Sequence, residues 1–115
     1  MTEDSFRQLA LSMPESMESS HMGHPDFRVK NKIFATLFTG DDDADDAMVK
    51  LTPEQQEEFI ATNPETFTPI KGAWGERGYT QVRLATANQA AVKRAIVTAW
   101  KNTAPKGLVN KFKLQ

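Results

Sequence analysis

Phe27-Arg28-Val29-Lys30-Asn31-Lys32-Ile33-Phe34-Ala35-Thr36-Leu37 is the stretch that decides the fold. If Lys30-Asn31-Lys32 forms a short hairpin turn, Phe27, Val29, Ile33, Ala35 and Leu37 fall on one face of two antiparallel strands. Asn31 suits such a turn, because asparagine tolerates positive φ better than most residues. The other face then carries Arg28, Phe34, Thr36 and Phe38, and two apolar residues there imply that it is partly covered as well. Strand structure is expected over residues 17 to 38.

Helices flank this region. Upstream, Phe6, Leu9, Ala10 and Met13 recur at helical spacing, with Thr2 or Asp4 as the cap and Pro14 as the stop. Downstream, Gly40 to Asp46 reads as a solvated loop with five aspartates, and Ala47 to Leu51 as a short strand. Thr52 at the N-cap, Pro53 at the first helical position and Gln55 two residues on spell a capping box. Phe59 and Ile60 anchor that helix, and Asn63-Pro64 ends it. Residues 65 to 84 read as a strand pair around Gly72-Ala73-Trp74-Gly75-Glu76-Arg77-Gly78-Tyr79, whose three glycines mark a tight turn or bulge. Asn88 caps a final helix to about Asn102, with Val92, Ala95, Ile96, Ala99 and Trp100 on its core face; Ala104-Pro105 ends it.

The order helix, strands, helix, strands, helix lacks βαβ repetition. It predicts an α+β fold, a two-layer α/β sandwich of one antiparallel sheet with helices on one face. At 115 residues, with no repeat or linker, the chain is expected to be a single domain spanning 1 to 115.

Composition narrows the chemistry. Hydrophobic residues make up 39% and charged residues 25%, which is an ordinary globular balance. There is no cysteine, so disulfides, zinc-thiolate sites and thiol nucleophiles are excluded. No signal-peptide pattern or spanning apolar run is found, so no membrane contact and a cytoplasmic location are expected. The net charge of −1 hides an asymmetry: residues 1 to 65 hold 14 of the 15 acids, while residues 66 to 115 hold 9 of the 14 bases. That pattern fits an anionic partner for the basic half, or two halves packed with complementary charge.

Catalytic patterns are thin. No serine lies in a nucleophile elbow, and no phosphate-binding glycine loop occurs. A calcium loop starting at Asp41 fails at Asp46, where glycine is needed, and at Thr52, where glutamate is needed. His21, His24 and Asp26 are suitable metal ligands or bases, but an odd separation in an extended segment sets the two histidines on opposite faces unless Gly23-His24-Pro25 turns. Neither a metal nor a cofactor is expected. Arg28, Lys30 and Lys32 would place three cations at a hairpin tip, with Lys101, Lys106 and further lysines toward the C-terminus. Trp74 and Tyr79 beside Arg77 offer stacking surfaces.

Ser19-Ser20-His21-Met22-Gly23-His24-Pro25-Asp26-Phe27-Arg28-Val29 and Lys32-Ile33-Phe34-Ala35-Thr36-Leu37 resemble the opening block of the MmcQ/YjbR family. Val49-Lys50-Leu51-Thr52-Pro53-Glu54 resembles its middle block. Trp74-Gly75-Glu76-Arg77-Gly78-Tyr79-Thr80 and Ala99-Trp100-Lys101-Asn102-Thr103-Ala104-Pro105-Lys106 resemble its closing blocks. The resemblance implies a YjbR-like two-layer fold close to the CyaY-like and secretion-chaperone-like arrangements, and a DNA-binding label with a double-wing contact surface. It brings no catalytic residues.

A non-enzymatic module contacting DNA weakly through Arg28, Lys30, Lys32, Arg77, Lys101 and Lys106 is therefore the leading expectation, with the chain a monomer. The alternative is a protein-interaction or small-ligand module using the sheet and the Trp74–Tyr79 loop, with His21 and His24 beside the pocket. An enzyme centred on His21, His24 and Asp26 comes third and requires those side chains to converge in a cleft.

Overall fold

The computed structural model describes residues 1–38 and 46–112. The aspartate run 41–45 and Lys113 lie outside the described residues. The chain runs α1 (Glu3–Leu11), β1 (Ser16–His21), β2 (His24–Val29), β3 (Lys32–Phe38), β4 (Asp46–Lys50), α2 (Pro53–Thr62), β5 (Phe67–Pro69), α3 (Ala73–Glu76), β6 (Tyr79–Arg83), α4 (Gln89–Thr103) and α5 (Lys106–Lys111). The six strands form one sheet in the order β1-β2-β3-β4-β6-β5. Every pairing is antiparallel.

The predicted hairpin forms between β2 and β3. Its turn is the two residues Lys30 (φ 49°) and Asn31 (φ 66°), a pair of positive-φ positions whose twist matches the flanking strands. Lys32 belongs to β3 rather than to the turn. A second two-residue turn, Met22 (φ 50°) and Gly23 (φ 81°), splits residues 16 to 29 into β1 and β2.

The predicted alternation fails at one place. The register shifts between Phe27 and Arg28, so Phe27 pairs with Ala35 while Arg28 pairs with Ile33. Phe34 is the extra residue of this bulge. It is fully buried in the core, whereas Ile33 moves to the opposite face beside Arg28. One inserted residue thus exchanges the expected places of Ile33 and Phe34.

Phe27, Ala35, Leu37, Ala47, Val49 and Val82 present the buried sheet face, against which Phe6 and Ala10 of α1 and Val92, Ala95, Ile96, Ala99 and Trp100 of α4 pack. α2 joins the same layer, its Phe59 ring set edge-on to Phe67 at 5.2 Å. Trp100 has no exposed surface and its indole N–H donates to the Pro14 carbonyl at 3.0 Å, tying α4 to the end of α1. The three capping expectations hold, with Thr2 rather than Asp4 capping α1 by accepting from the Ser5 N–H at 3.1 Å. Asn88 accepts from the Ala91 N–H at 3.1 Å, and Thr52 and Gln55 exchange side-chain and backbone hydrogen bonds of 3.2 and 2.9 Å. Thr52→Ala should cost about 1 kcal/mol in a urea unfolding titration, with an unchanged m-value.

Two short helices depart from the sequence reading. α3 occupies the connection where only a tight turn or bulge was expected. α5 follows α4, which is therefore not the last helix. Each is too short to show a helical period.

Candidate functional site: a groove on the open sheet face

The face of the sheet away from α1, α2 and α4 carries a groove of about 460 Å³. Ile33, Thr36 and Phe38 of β3, Met48 and Lys50 of β4 and Tyr79 of β6 form its floor, with His21 and Met22 at one end and Ile70 and Trp74 at the other. The register explains the floor, since Thr36 sits opposite Met48 and Lys50 opposite Tyr79. Lys50 also lays its ammonium 5.4 Å from the Tyr79 ring centre.

The Trp74 wall is built by backbone constraint. The connection from Ile70 to Gly78 closes with the Ile70 N–H on the Tyr79 carbonyl at 3.0 Å. From α2, the Gln56 side chain donates to the carbonyls of Gly75 and Tyr79 at 3.1 and 3.0 Å. A Cβ on Gly75 would lie 1.7 Å from the Ile70 carbonyl oxygen. Gly78, at φ +105°, would set a Cβ 2.2 Å from the Leu51 carbonyl oxygen. Held this way, Trp74 remains 53% exposed, stacks at 5.1 Å on Tyr79, and lies under the Arg77 guanidinium at 5.1 Å. A large ring left half in solvent on an apolar floor is an unfilled contact surface.

At the other end the Met22-Gly23 turn makes His21 and His24 direct cross-strand partners, so they share a face, and the opposite-face expectation is overturned. His21 Nδ1 lies 2.8 Å from Asp26 Oδ2. Arg28 holds the same carboxylate through Nε at 2.8 Å and Nη2 at 3.1 Å. Burial alone would push the Asp26 carboxyl up, but the hydrogen bonds and charges of Arg28 and His21 outweigh it and hold it below the usual range. Ionised Asp26 therefore accepts from His21 Nδ1–H and orients the ring, which leaves Nε2 for the groove. Among the described residues no hydroxyl is hydrogen-bonded to His21, and no three ligating side chains gather around a metal position. His24 packs edge-on to Phe38 at 5.5 Å. Its Nδ1 and the Thr36 hydroxyl are buried without a hydrogen-bond partner among the described residues.

The family model YjbR matches residues 11–102. The chain belongs to the YjbR family. Two solved structures share its fold. A Deinococcus radiodurans protein with the domain DUF419 is 18% identical, with a TM-score of 0.74 over 99% of this chain and 89% of that one. A Pseudomonas syringae protein is 17% identical, with a TM-score of 0.70 over 90% of this chain and 99% of that one. No curated protein matches the chain. The six-stranded antiparallel sheet with its helices on one side is thus a fold shared with these two solved structures. Among the described residues no helix is long and apolar enough to cross a membrane.

In this YjbR-family chain the six predicted cations separate into groups. Arg28 is not at the hairpin tip but in the Asp26 ion pair on the open face. Lys30, at the tip, pairs with Glu15 at 2.8 Å. Lys32 and Arg77 come together with Lys50, which the sequence reading had not singled out, around a second depression beside the groove. Lys101 lies on α4 in a shallow depression with Gln55, Glu58 and Arg94, and Lys106 begins α5. Of the predicted pocket residues, His21, Trp74 and Tyr79 line one groove, while His24 packs on the lining residue Phe38 and does not itself line it. Ile33, Met48 and Ile70 were missed because apolar residues on short strands carry no signal for an uncovered face.

The lowered Asp26 pKa has a sign. Its contribution to stability is fully present above the unfolded aspartate value of about 3.9 and is lost as pH falls through the lower folded value. Asp26→Asn should therefore lower stability at pH 7 and flatten the acid limb below about pH 4 in a pH series of thermal melts.

Proposed function

We propose that the chain is a non-catalytic binding module that holds a small, flat, mainly apolar ligand in the open-face groove. The observation that carries this reading is Trp74, half-exposed and stacked on Tyr79 above a floor of Ile33, Phe38 and Met48. The volume of about 460 Å³ lies within the usual range for small-molecule sites, roughly 300–1,000 Å³. The oriented His21 ring supplies a polar contact of the kind that fixes orientation in such sites. With Asp26 engaged by Arg28 and, among the described residues, no nucleophile bonded to His21, this reading gives the cluster a part in recognition rather than turnover. A cytoplasmic monomer is the setting this reading takes, and light scattering at the mass of one chain, 12.9 kDa, checks the second part.

The test uses the uncharged fluorophore N-phenyl-1-naphthylamine. Saturable binding is expected, weakened about tenfold by Trp74→Ala with thermal stability retained, since Trp74 lies outside the core. Absence of saturable binding, or equal binding by the variant, removes the reading.

Nucleic acid is a second reading, favoured by the gathering of Lys32, Lys50 and Arg77 beside the exposed Trp74. Stacking of an unpaired base on that ring would use the same face. DNA binding through this cluster should weaken with salt, with a log–log slope of about −0.9 per duplex phosphate neutralised. Binding that is absent at low salt, or indifferent to salt, excludes it.

A further inference from the structure

The apolar groove and the cationic depression are continuous. Lys50 and Tyr79 line both. The depression, of about 340 Å³, is completed by Lys32, Leu51, Thr52, Arg77 and Asn102 among others. Among the described residues no carboxylate lines either space. Among the described residues, Lys32, Lys50 and Arg77 have no ion-pair partner, whereas Arg7, Arg28 and Lys30 do. Lys50 and Arg77 are turned instead onto the faces of Tyr79 and Trp74, which keeps both cations at the aromatic end of the groove. Asn102 is anchored there, its side-chain N–H donating to the Lys50 carbonyl at 3.1 Å and to Gln55 at 2.7 Å. Three cations around one polar hollow, without a compensating acid among the described residues, are complementary to an anion.

We infer that the ligand of the groove is an amphipathic anion: a planar apolar body on Ile33, Met48 and Trp74, with an oxyanion head over Lys32, Lys50 and Arg77. This rests on the groove being a ligand site and adds the head-group chemistry. His21, at the far end, then meets the tail of the ligand rather than its charge.

The test compares two fluorophores that share an anilinonaphthalene body, N-phenyl-1-naphthylamine and its sulfonated relative 8-anilinonaphthalene-1-sulfonate. The sulfonate is expected to bind about tenfold tighter than the neutral probe. Lys32→Gln with Lys50→Gln should erase that advantage, read as the ratio of the two probes' affinities, so that an effect of the Lys50 floor position common to both probes cancels. The charge-matched control, Lys93→Gln with Lys106→Gln, should keep it. If the sulfonate binds no tighter, or if the control pair loses as much, the head-group assignment is wrong while the groove stands. If neither probe binds, the groove reading itself falls.

Discussion

Trp100→Ala should destabilise the fold by about 3–5 kcal/mol, a substantial fraction of the stability of native domains, about 5–15 kcal/mol. Trp100 is the largest of the fully buried side chains and belongs to the central cluster with Phe6 and Phe27. Removing it opens a cavity between α4 and the sheet, and it orphans the Pro14 carbonyl that accepts the indole N–H. Denaturant unfolding followed by circular dichroism measures this. Trp100→Phe should recover most of the packing but not the hydrogen bond, and so fall between. A loss below about 1 kcal/mol for the alanine variant would mean that this residue is not buried as described.

Gly78→Val should cost a comparable amount, on the order of 3–5 kcal/mol, by a different route. At φ +105° a β-branched residue is strained wherever it sits. Here its Cβ would also meet the Leu51 carbonyl oxygen at 2.2 Å, the Thr52 carbonyl carbon at 2.5 Å and the Pro53 nitrogen at 2.8 Å. All three are backbone atoms at the start of α2, so none can swing aside. The strain should be relieved by displacing the Ile70–Gly78 connection, which would take Trp74 off Tyr79. Thermal melts together with probe binding separate these effects, and binding should be lost even in conditions where the variant remains folded.

Much of this architecture is legible in the residues. Thr52-Pro53-Glu54-Gln55 and Asn88 announce helix starts, because a cap is a local hydrogen-bond contract written in side chains. Val92 to Trp100 shows a clean helical period because one face is wholly buried. Lys30-Asn31 marks its hairpin through the need for positive φ. The bulge at Phe34 was not legible: it depends on pairing with β2 and leaves β3 looking like an unbroken alternation. The Met22-Gly23 turn was hidden because Met22 is a poor candidate for φ 50°, and with it went the facing of His21 and His24. The groove was legible only in part. Trp74 and Tyr79 could be named because aromatic residues beside glycines are conspicuous, yet nothing in sequence says which sheet face lacks helices. Gln56 and Lys50 act across 19 to 29 residues of chain, as in the bonds from Gln56 to Gly75 and the stacking of Lys50 on Tyr79, and such partners appear only after folding.

The groove is tested most directly by the two indole N–H signals in ¹H–¹⁵N spectra. Trp74 and Trp100 are the only tryptophans, one at the proposed site and one in the core. On titration with N-phenyl-1-naphthylamine, the Trp74 signal should shift and saturate while the Trp100 signal stays still. A Trp74 signal that does not move, or shifts that follow Trp100 equally, would contradict a ligand site on the open face of the sheet.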